Sequence, residues 1–238
     1  MTAYAFSPIG IIRSCFTEKF GIPRQSGLVP QIPATLEILP EFRQREAFRG
    51  LEQFSHLWLL FVFHANARQP WKTTVRPPRL GGNRRVGVFA SRSGFRPNPI
   101  GQSLVTLLKI EAGNRRLVLH LGGADLLDGT PVLDIKPYLP YADSLPAASC
   151  GYAREAPPAV LSVSFNEQAR ATCRALEKEH PGLQDLIQGL LTLDPRPAYH
   201  ADHKPRDVYG MRLWDFNVRF RITGNHAVVE GIDAFDKS

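Results

Sequence analysis

The most apolar stretch of the chain, residues 54–63 (FSHLWLLFVF), constrains the fold more than any other. It is far shorter than the roughly 18 residues needed to cross a bilayer. Its aromatic and β-branched content favours a buried strand. The other apolar runs are equally short, and 20 prolines and 19 glycines punctuate the 238 residues. Many short strands separated by turn signals select a barrel or a compact sandwich.

Taken in order, residues 4–14, 35–39, 86–89, 104–107 and 117–121 read as strands, and 40–51 as a short helix ended by Gly50. Residues 124–135 (ADLLDGTPVLDI) place Asp128-Gly129 between apolar runs, a strong hairpin signal. Lys136 opens a Pro- and Tyr-rich segment, KPYLPYAD, that leaves the sheet. An Ala-, Ser- and Pro-rich stretch follows, so we expect a first domain at 1–146, a linker at 147–158 and a second domain at 159–238. In the second domain, 160–165 reads as a strand, Asn166 as the N-cap of a helix to about Glu179, and 182–193 as another helix. Tyr209, Met211 and Leu213 alternate in one phase while Phe216, Val218, Phe220 and Ile222 alternate in the other, which predicts a bulge near Trp214-Asp215. A last strand at 227–232 closes a small α+β unit.

With 29 basic and 22 acidic residues the net charge is +7, which favours an anionic partner such as RNA or DNA. Cys15, Cys150 and Cys173 are odd in number and far apart, fitting a reduced cytosol rather than a disulfide framework or zinc site. The first residues, MTAYAFSPIGIIRS, lack the pattern of a signal peptide, and the expectation is a soluble, cytoplasmic protein. There is no Walker loop, no HExxH and no nucleophile elbow, and Gly122-Gly123 lacks the context of a dinucleotide fold. His200 and His203 with Asp202 make a weak metal set, better read as a solvated or RNA-facing loop.

Chemistry concentrates between Arg84 and Leu107, RRVGVFASRSGFRPNPIGQSLVTL. Pro97 and Pro99 hold Arg96 and Asn98 extended, so the loop costs little entropy to order. Arginine forks match carboxylates, phosphates and bases, and Arg92 and Arg96 on so stiff a loop suit an anionic or nucleotide-like ligand. A Pro-rich turn with merely solvated arginines would share this spacing. The turn-rich segment 19–31, with Arg24, Gln25, Ser26 and Gly27, is a second candidate ligand loop or else a loose terminal arm. His64, where an apolar strand meets a polar stretch, is either ligand-facing or a satisfied core histidine.

The segments FSHLWLLFVFH, VRPPRLGGNRRVGVFASRSGFRPNPIGQS, DGTPVLDIKPYLPYAD and DPRPAY resemble the signature stretches of the TrmO-type (YaeB- or TsaA-like) tRNA methyltransferases, across nearly the whole chain. The resemblance implies a mainly β N-terminal domain, a six-stranded antiparallel β-barrel that binds S-adenosylmethionine without a Rossmann domain. It also implies a small α+β C-terminal domain and a homodimer with the pocket near the subunit interface. The implied reaction is methylation of N6 of N6-threonylcarbamoyladenosine at position 37 of threonine tRNAs. Carried over by position, cofactor binding falls to Gln25, Ser26, Gly27, His64, Ala65, Arg92, Gln102, Leu127, Asp128, Gly129 and Thr130.

In such a transfer the protein mainly aligns the nucleophile with the methyl and excludes water. N6 lies between an aromatic ring and a carbonyl, so a nearby acceptor or base helps. Asp128, Asp134, Tyr138 and Asp194 are candidates, and the sequence does not choose among them. Arg92, Arg96 or Arg196 can meet the threonyl carboxylate, and Asn98 can face cofactor or RNA. For the anticodon loop, Arg196, Tyr199, His200, Lys204, Arg206 and Tyr209 supply stacking and hydrogen-bonding groups, although DPRP can equally be a rigid turn with the tyrosines in a small core. Two other readings compete: a non-catalytic RNA-binding module, and a methyltransferase acting on a small metabolite.

Overall fold

The computed structural model describes residues 2–196 and 208–235. In chain order the strands are β1 (Gly10–Ser14), β2 (Pro33–Ile38), β3 (His56–Val62), β4 (Thr74–Val75), β5 (Val86–Gly87), β6 (Ile100–Ala112), β7 (Leu117–Gly122), β8 (Pro131–Pro137), β9 (Ser162–Phe165), β10 (Tyr209–Leu213), β11 (Phe216–Thr223) and β12 (His226–Ala234). The α-helices are α1 (Pro140–Asp143), α2 (Glu167–Leu176) and α3 (Leu183–Thr192). The expected mainly β first domain is a closed six-stranded barrel in the order β1-β2-β7-β6-β3-β8, with every pair antiparallel. A four-stranded sheet, β10-β11-β12-β9, carries α2 and α3 and forms the α+β unit.

The alternation of strand side chains fills the barrel. Along β3, Leu57, Leu59 and Phe61 are buried inside with Ile12, Leu36, Val105, Leu119 and Val132. Their neighbours Trp58, Leu60 and Val62 point outward and stay half-buried. Phe61 fits because its cross-strand partner is Gly101; a Cβ there would lie 2.3 Å from the ring. Asn166 caps α2 as expected, its side-chain oxygen accepting the Ala169 N–H at 2.8 Å.

The second core is not made by the C-terminal unit alone. Cys15, Phe16, Val29 and Ile32, from the segment between β1 and β2, are buried with Leu186, Leu190, Met211 and Phe220. Phe16 makes a β-bridge to Leu213, and the Trp214 N–H donates to the Cys15 carbonyl at 2.7 Å. The early loop is thus built into both cores.

Several local expectations are corrected. The strand at 4–14 begins only at Gly10, and 40–51 forms three short 3-10 turns, the last preceded by Gly50 at φ 88°. Only Val86–Gly87 of 86–89 is extended, whereas 104–107 belongs to a strand of 13 residues. Asp128-Gly129 does form a turn, closed by the Thr130 N–H to the Leu127 carbonyl at 3.2 Å, but β7 and β8 do not pair with each other. Barrel closure sends β8 between β1 and β3 instead. The phase switch at Trp214-Asp215 is a hairpin turn between β10 and β11, with Trp214 at φ 52°, not a bulge; the bulge lies opposite Arg219-Phe220 in β12.

Candidate functional site

A cavity of about 650 Å³ opens at the rim of the barrel, within the size range of small-molecule sites. Its walls come from the early loop, the outer face and end of β3, the Arg-rich loop before β6, the start of β6, and the segment after β7. Of the residues expected from the sequence, Gln25, His64, Ala65, Arg92, Arg96, Gln102, Leu127 and Thr130 line it. Ser26, Gly27, Asp128, Gly129 and Asn98 do not.

Ser26 and Gly27 instead pin the wall. The Ser26 hydroxyl accepts the Leu104 N–H at 3.1 Å, and the Gly27 N–H donates to the Gly123 carbonyl at 2.9 Å, with Gly27 at φ 76°. Arg92 donates to the Gln25 side-chain oxygen, and Lys19 donates to Asn66 in the turn that bears His64. Arg96 is turned inward on its own loop, donating to the carbonyls of Ser91 at 2.7 Å and Val88 at 3.2 Å. Arg92 is therefore the more available fork.

One central residue went unrecognised in the sequence. Asp125 lines the cavity and accepts the Ser103 hydroxyl at 2.6 Å and the Ser26 N–H. Burial pushes its carboxyl above the usual range, while Ser103, backbone N–H groups and Arg92 pull the other way. An isolated Asp in ADLLDGTP carries no signal beyond turn chemistry; only its placement opposite Ser103 shows what it does. His64 is held below the ordinary imidazole range by burial first and the Lys19 charge second, with Asp128 opposing them, so its ring is neutral at pH 7.

The four candidate bases lie outside the cavity lining. Asp128 accepts the Ser14 N–H at 3.1 Å and stands 3.9 Å from Arg13. Asp134 pairs with Lys136 at 3.0 Å, and Tyr138 packs on His56 and Trp58. Asp194 grips Arg196 through two bonds, 2.8 and 2.7 Å. This pairing, together with Tyr209, raises the Arg196 guanidinium further. Arg24 links this DPR turn to the early loop by donating to the Arg196 carbonyl at 3.5 Å. Tyr199, His200, Asp202, His203, Lys204 and Arg206 lie outside the described residues, and among the described ones no cluster of potential metal ligands occurs.

The lining fits a nucleoside-bearing sulfonium such as S-adenosylmethionine. Phe61, Phe63 and Phe95 offer faces for a base, Asp125 and Gln25 offer acceptors for hydroxyl or ammonium groups, and Arg92 offers a fork for a carboxylate. Trp58 Nε1, buried without a partner among the described residues, belongs to the same wall. An unpaired buried donor of this kind costs the free protein about 1–3 kcal/mol.

Barrel and cavity together define a cofactor-binding β-barrel enzyme, distinct from the doubly wound nucleotide folds. The profile "tRNA-methyltransferase O N-terminal domain" matches residues 11–144, and "TrmO C-terminal domain" matches 158–235. The chain is 52% identical over 223 residues, covering 94% of it and 95% of the relative, to tRNA (adenine(37)-N6)-methyltransferase of Escherichia coli (strain K12). It is 53% identical over 218 residues, 91% and 92% of the two chains, to a Pseudomonas aeruginosa protein named putative S-adenosylmethionine-dependent methyltransferase RcsF. The crystal structure of TrmO from Pseudomonas aeruginosa superposes with a TM-score of 0.81 at 44% identity, covering 98% of this chain and 99% of that one. The chain belongs to the TrmO family of S-adenosylmethionine-dependent tRNA methyltransferases.

Proposed function

We propose that the protein methylates N6 of N6-threonylcarbamoyladenosine at position 37 of threonine tRNAs, with S-adenosylmethionine as donor. One observation carries the reading: the rim cavity gathers Gln25, His64, Arg92, Gln102 and Thr130 from separate loops, in a chain that matches a tRNA (adenine(37)-N6)-methyltransferase along almost its full length. The bound cofactor supplies an electrophilic methyl. The chain's own groups then hold and align. Gln25, Ala65, Gln102, Leu127 and Thr130 enclose the cofactor beside Asp125, while Arg92 meets the anionic end of either ligand. The neutral His64 ring is the cavity group suited to accept the N6 proton. Asp128, Asp134, Tyr138 and Asp194 lie outside this lining and take no step in it, and Asn98 and Arg196 are left for the RNA.

The outward apolar face of β3, with Trp58 and Leu60 beside the cavity and Ile100 41% exposed next to them, supports a homodimer closing over the site. A monomer in sedimentation at working concentration would remove that element.

The function is tested with labelled S-adenosylmethionine and threonine tRNA, with and without threonylcarbamoyladenosine. Label is expected only in the modified tRNA, at that nucleoside. Transfer to neither, despite cofactor binding, refutes the substrate assignment and favours a small-metabolite acceptor.

A further inference from the structure

From residue 53 to residue 110 the chain contains no Asp or Glu. Within that span Lys72, Arg76, Arg79, Arg84 and Arg85 lie on one ribbon with Arg68 just ahead of it, and all six are exposed. Its two sides, β4 and β5, pair Thr74 with Gly87 and Val75 with Val86. Among the described residues none of the six cations pairs with a carboxylate, whereas elsewhere Arg13, Arg116, Arg174, Arg196, Arg219 and Arg221 each do. With no carboxylate in the same span of sequence and none reaching in from elsewhere among the described residues, nothing offsets the charge of these six. Concentrated like charge of this kind destabilises the free protein and is relieved by an anionic partner.

The ribbon is also stiff and joined to the site. Pro77 and Pro78 lead into a 3-10 turn, and Gly81 and Gly82 take positive φ, 69° and 71°. At the root, the Lys72 N–H donates to the Phe95 carbonyl and the Val88 N–H to the Thr73 carbonyl, each at 3.0 Å. Phe95 lines the cavity and carries the Lys72 ammonium 4.0 Å from its ring. At the tip Arg79 donates to the Glu155 carbonyl, and beside the root Tyr152 donates to the Ala90 carbonyl at 3.0 Å. Two large aromatics stand free near the root: Phe89, 72% exposed with the Arg96 guanidinium 5.4 Å from its ring, and Trp71, 50% exposed. Cations outboard and aromatics inboard are what a stem-loop requires, with phosphates along the stem and unstacked bases near the reactive centre.

We propose that the β4–β5 ribbon is a docking arm for the phosphate backbone of the anticodon stem, guiding the loop to the cavity. This rests on the tRNA reading given above. It places a major RNA contact in the barrel domain, in addition to the C-terminal unit.

The test is equilibrium binding of threonine tRNA to the full-length protein between about 50 and 200 mM salt. Every phosphate that a side chain ceases to neutralise lowers the magnitude of the log K against log salt slope by roughly 0.7–0.9. The triple variant R76A/R84A/R85A should therefore show a slope smaller by about 2–3, keep wild-type affinity for S-adenosylmethionine, and recover the slope when the same positions are lysine. An unchanged slope and tRNA affinity in the alanine variant, with the wild type still methylating tRNA, overturns the docking arm alone. A wild type that methylates no tRNA overturns the function proposed above, while the slope still reports whether the ribbon holds RNA.

Discussion

Replacing Asp125 with Ala tests whether the cofactor wall is held by one buried carboxylate. The change removes the acceptor of the Ser103 hydroxyl, 2.6 Å away and 3% exposed, and of the Ser26 N–H. Hydrogen bonds to a charged group contribute about 1.5–3 kcal/mol each, and a buried donor left unpaired costs about 1–3. Relief of the buried charge offsets part of this, since the raised carboxyl shows that its ionised form is disfavoured there. A net loss of about 2–3 kcal/mol remains by that reckoning, or a melting temperature lower by roughly 4–10 °C in a chain of this size. D125N keeps one acceptor and should lose about 1 kcal/mol. The loosened Ser26 loop should also weaken S-adenosylmethionine binding in calorimetry, more in D125A than in D125N. Acidification supplies a second reading: with the carboxyl above its unfolded value, the folded state takes the proton first, so this group adds stability as pH falls from neutral, and D125N lacks that increment. A D125A protein that melts and binds cofactor as the wild type does would refute the assignment of the wall to Asp125.

Two further perturbations address the barrel and the histidine. G101A puts a methyl 2.3 Å from the Phe61 ring, which both fills the barrel and lines the cavity. Overpacking of about 1–3 kcal/mol should appear in chemical denaturation together with weaker cofactor binding, and wild-type values for both would contradict the packing described. His64, held below its ordinary 6.5 by burial and Lys19, resists protonation in the folded state. Stability should therefore fall as pH drops through about 6.5 toward the folded value, and affinity for the cationic cofactor should fall only below that, where the folded ring itself takes the proton. H64Q should flatten that acid limb in titrations from about pH 7.5 to 5, and an identical limb in both proteins would move the titration to another group.

A mainly β first domain was legible because β3 and β7 read as short apolar strands among turn signals, which left barrel and sandwich open; the closed six-stranded barrel came with the resemblance. The order of the strands was not legible. Asp128-Gly129 looks the same locally whether the runs beside it pair or part, and only barrel closure inserts β8 between β1 and β3. Trp214-Asp215 was misread for a related reason: a change of phase marks either a bulge or a turn, and Trp214, which takes the positive φ here, is not a residue that signals a turn. Within the site, Arg92, His64 and the loop bearing Gln25 were singled out by residue type and place and Gln102 through resemblance, and their shared cavity follows from the fold. Asp125 was missed because a carboxylate among turn residues reads as a turn residue. Arg96 looked equivalent to Arg92 until its bonds to the Val88 and Ser91 carbonyls separated the two.

The early loop shows what the C-terminal unit does for the barrel's cavity. A loop as long as 15–32 would be loose if it met only the barrel rim, and loose walls bind poorly because ordering them subtracts from affinity. Here Phe16, Val29 and Ile32 are buried against α3 and the β10–β11 hairpin, Gly21 passes so close to Met211 that a Cβ would lie 2.4 Å from its sulfur, and Gly189 of α3 leaves room for Val29. The far side of the loop presents Pro23, Arg24 and Gln25 to the cavity, with Ile22 lying between cavity and core. Arg24 then reaches the Asp194-Arg196 turn, placed in the RNA-binding region by resemblance. The cavity wall and the Asp194-Arg196 turn are thereby two ends of one packed segment, joined through Arg24 and leading by way of Gln25 to Arg92.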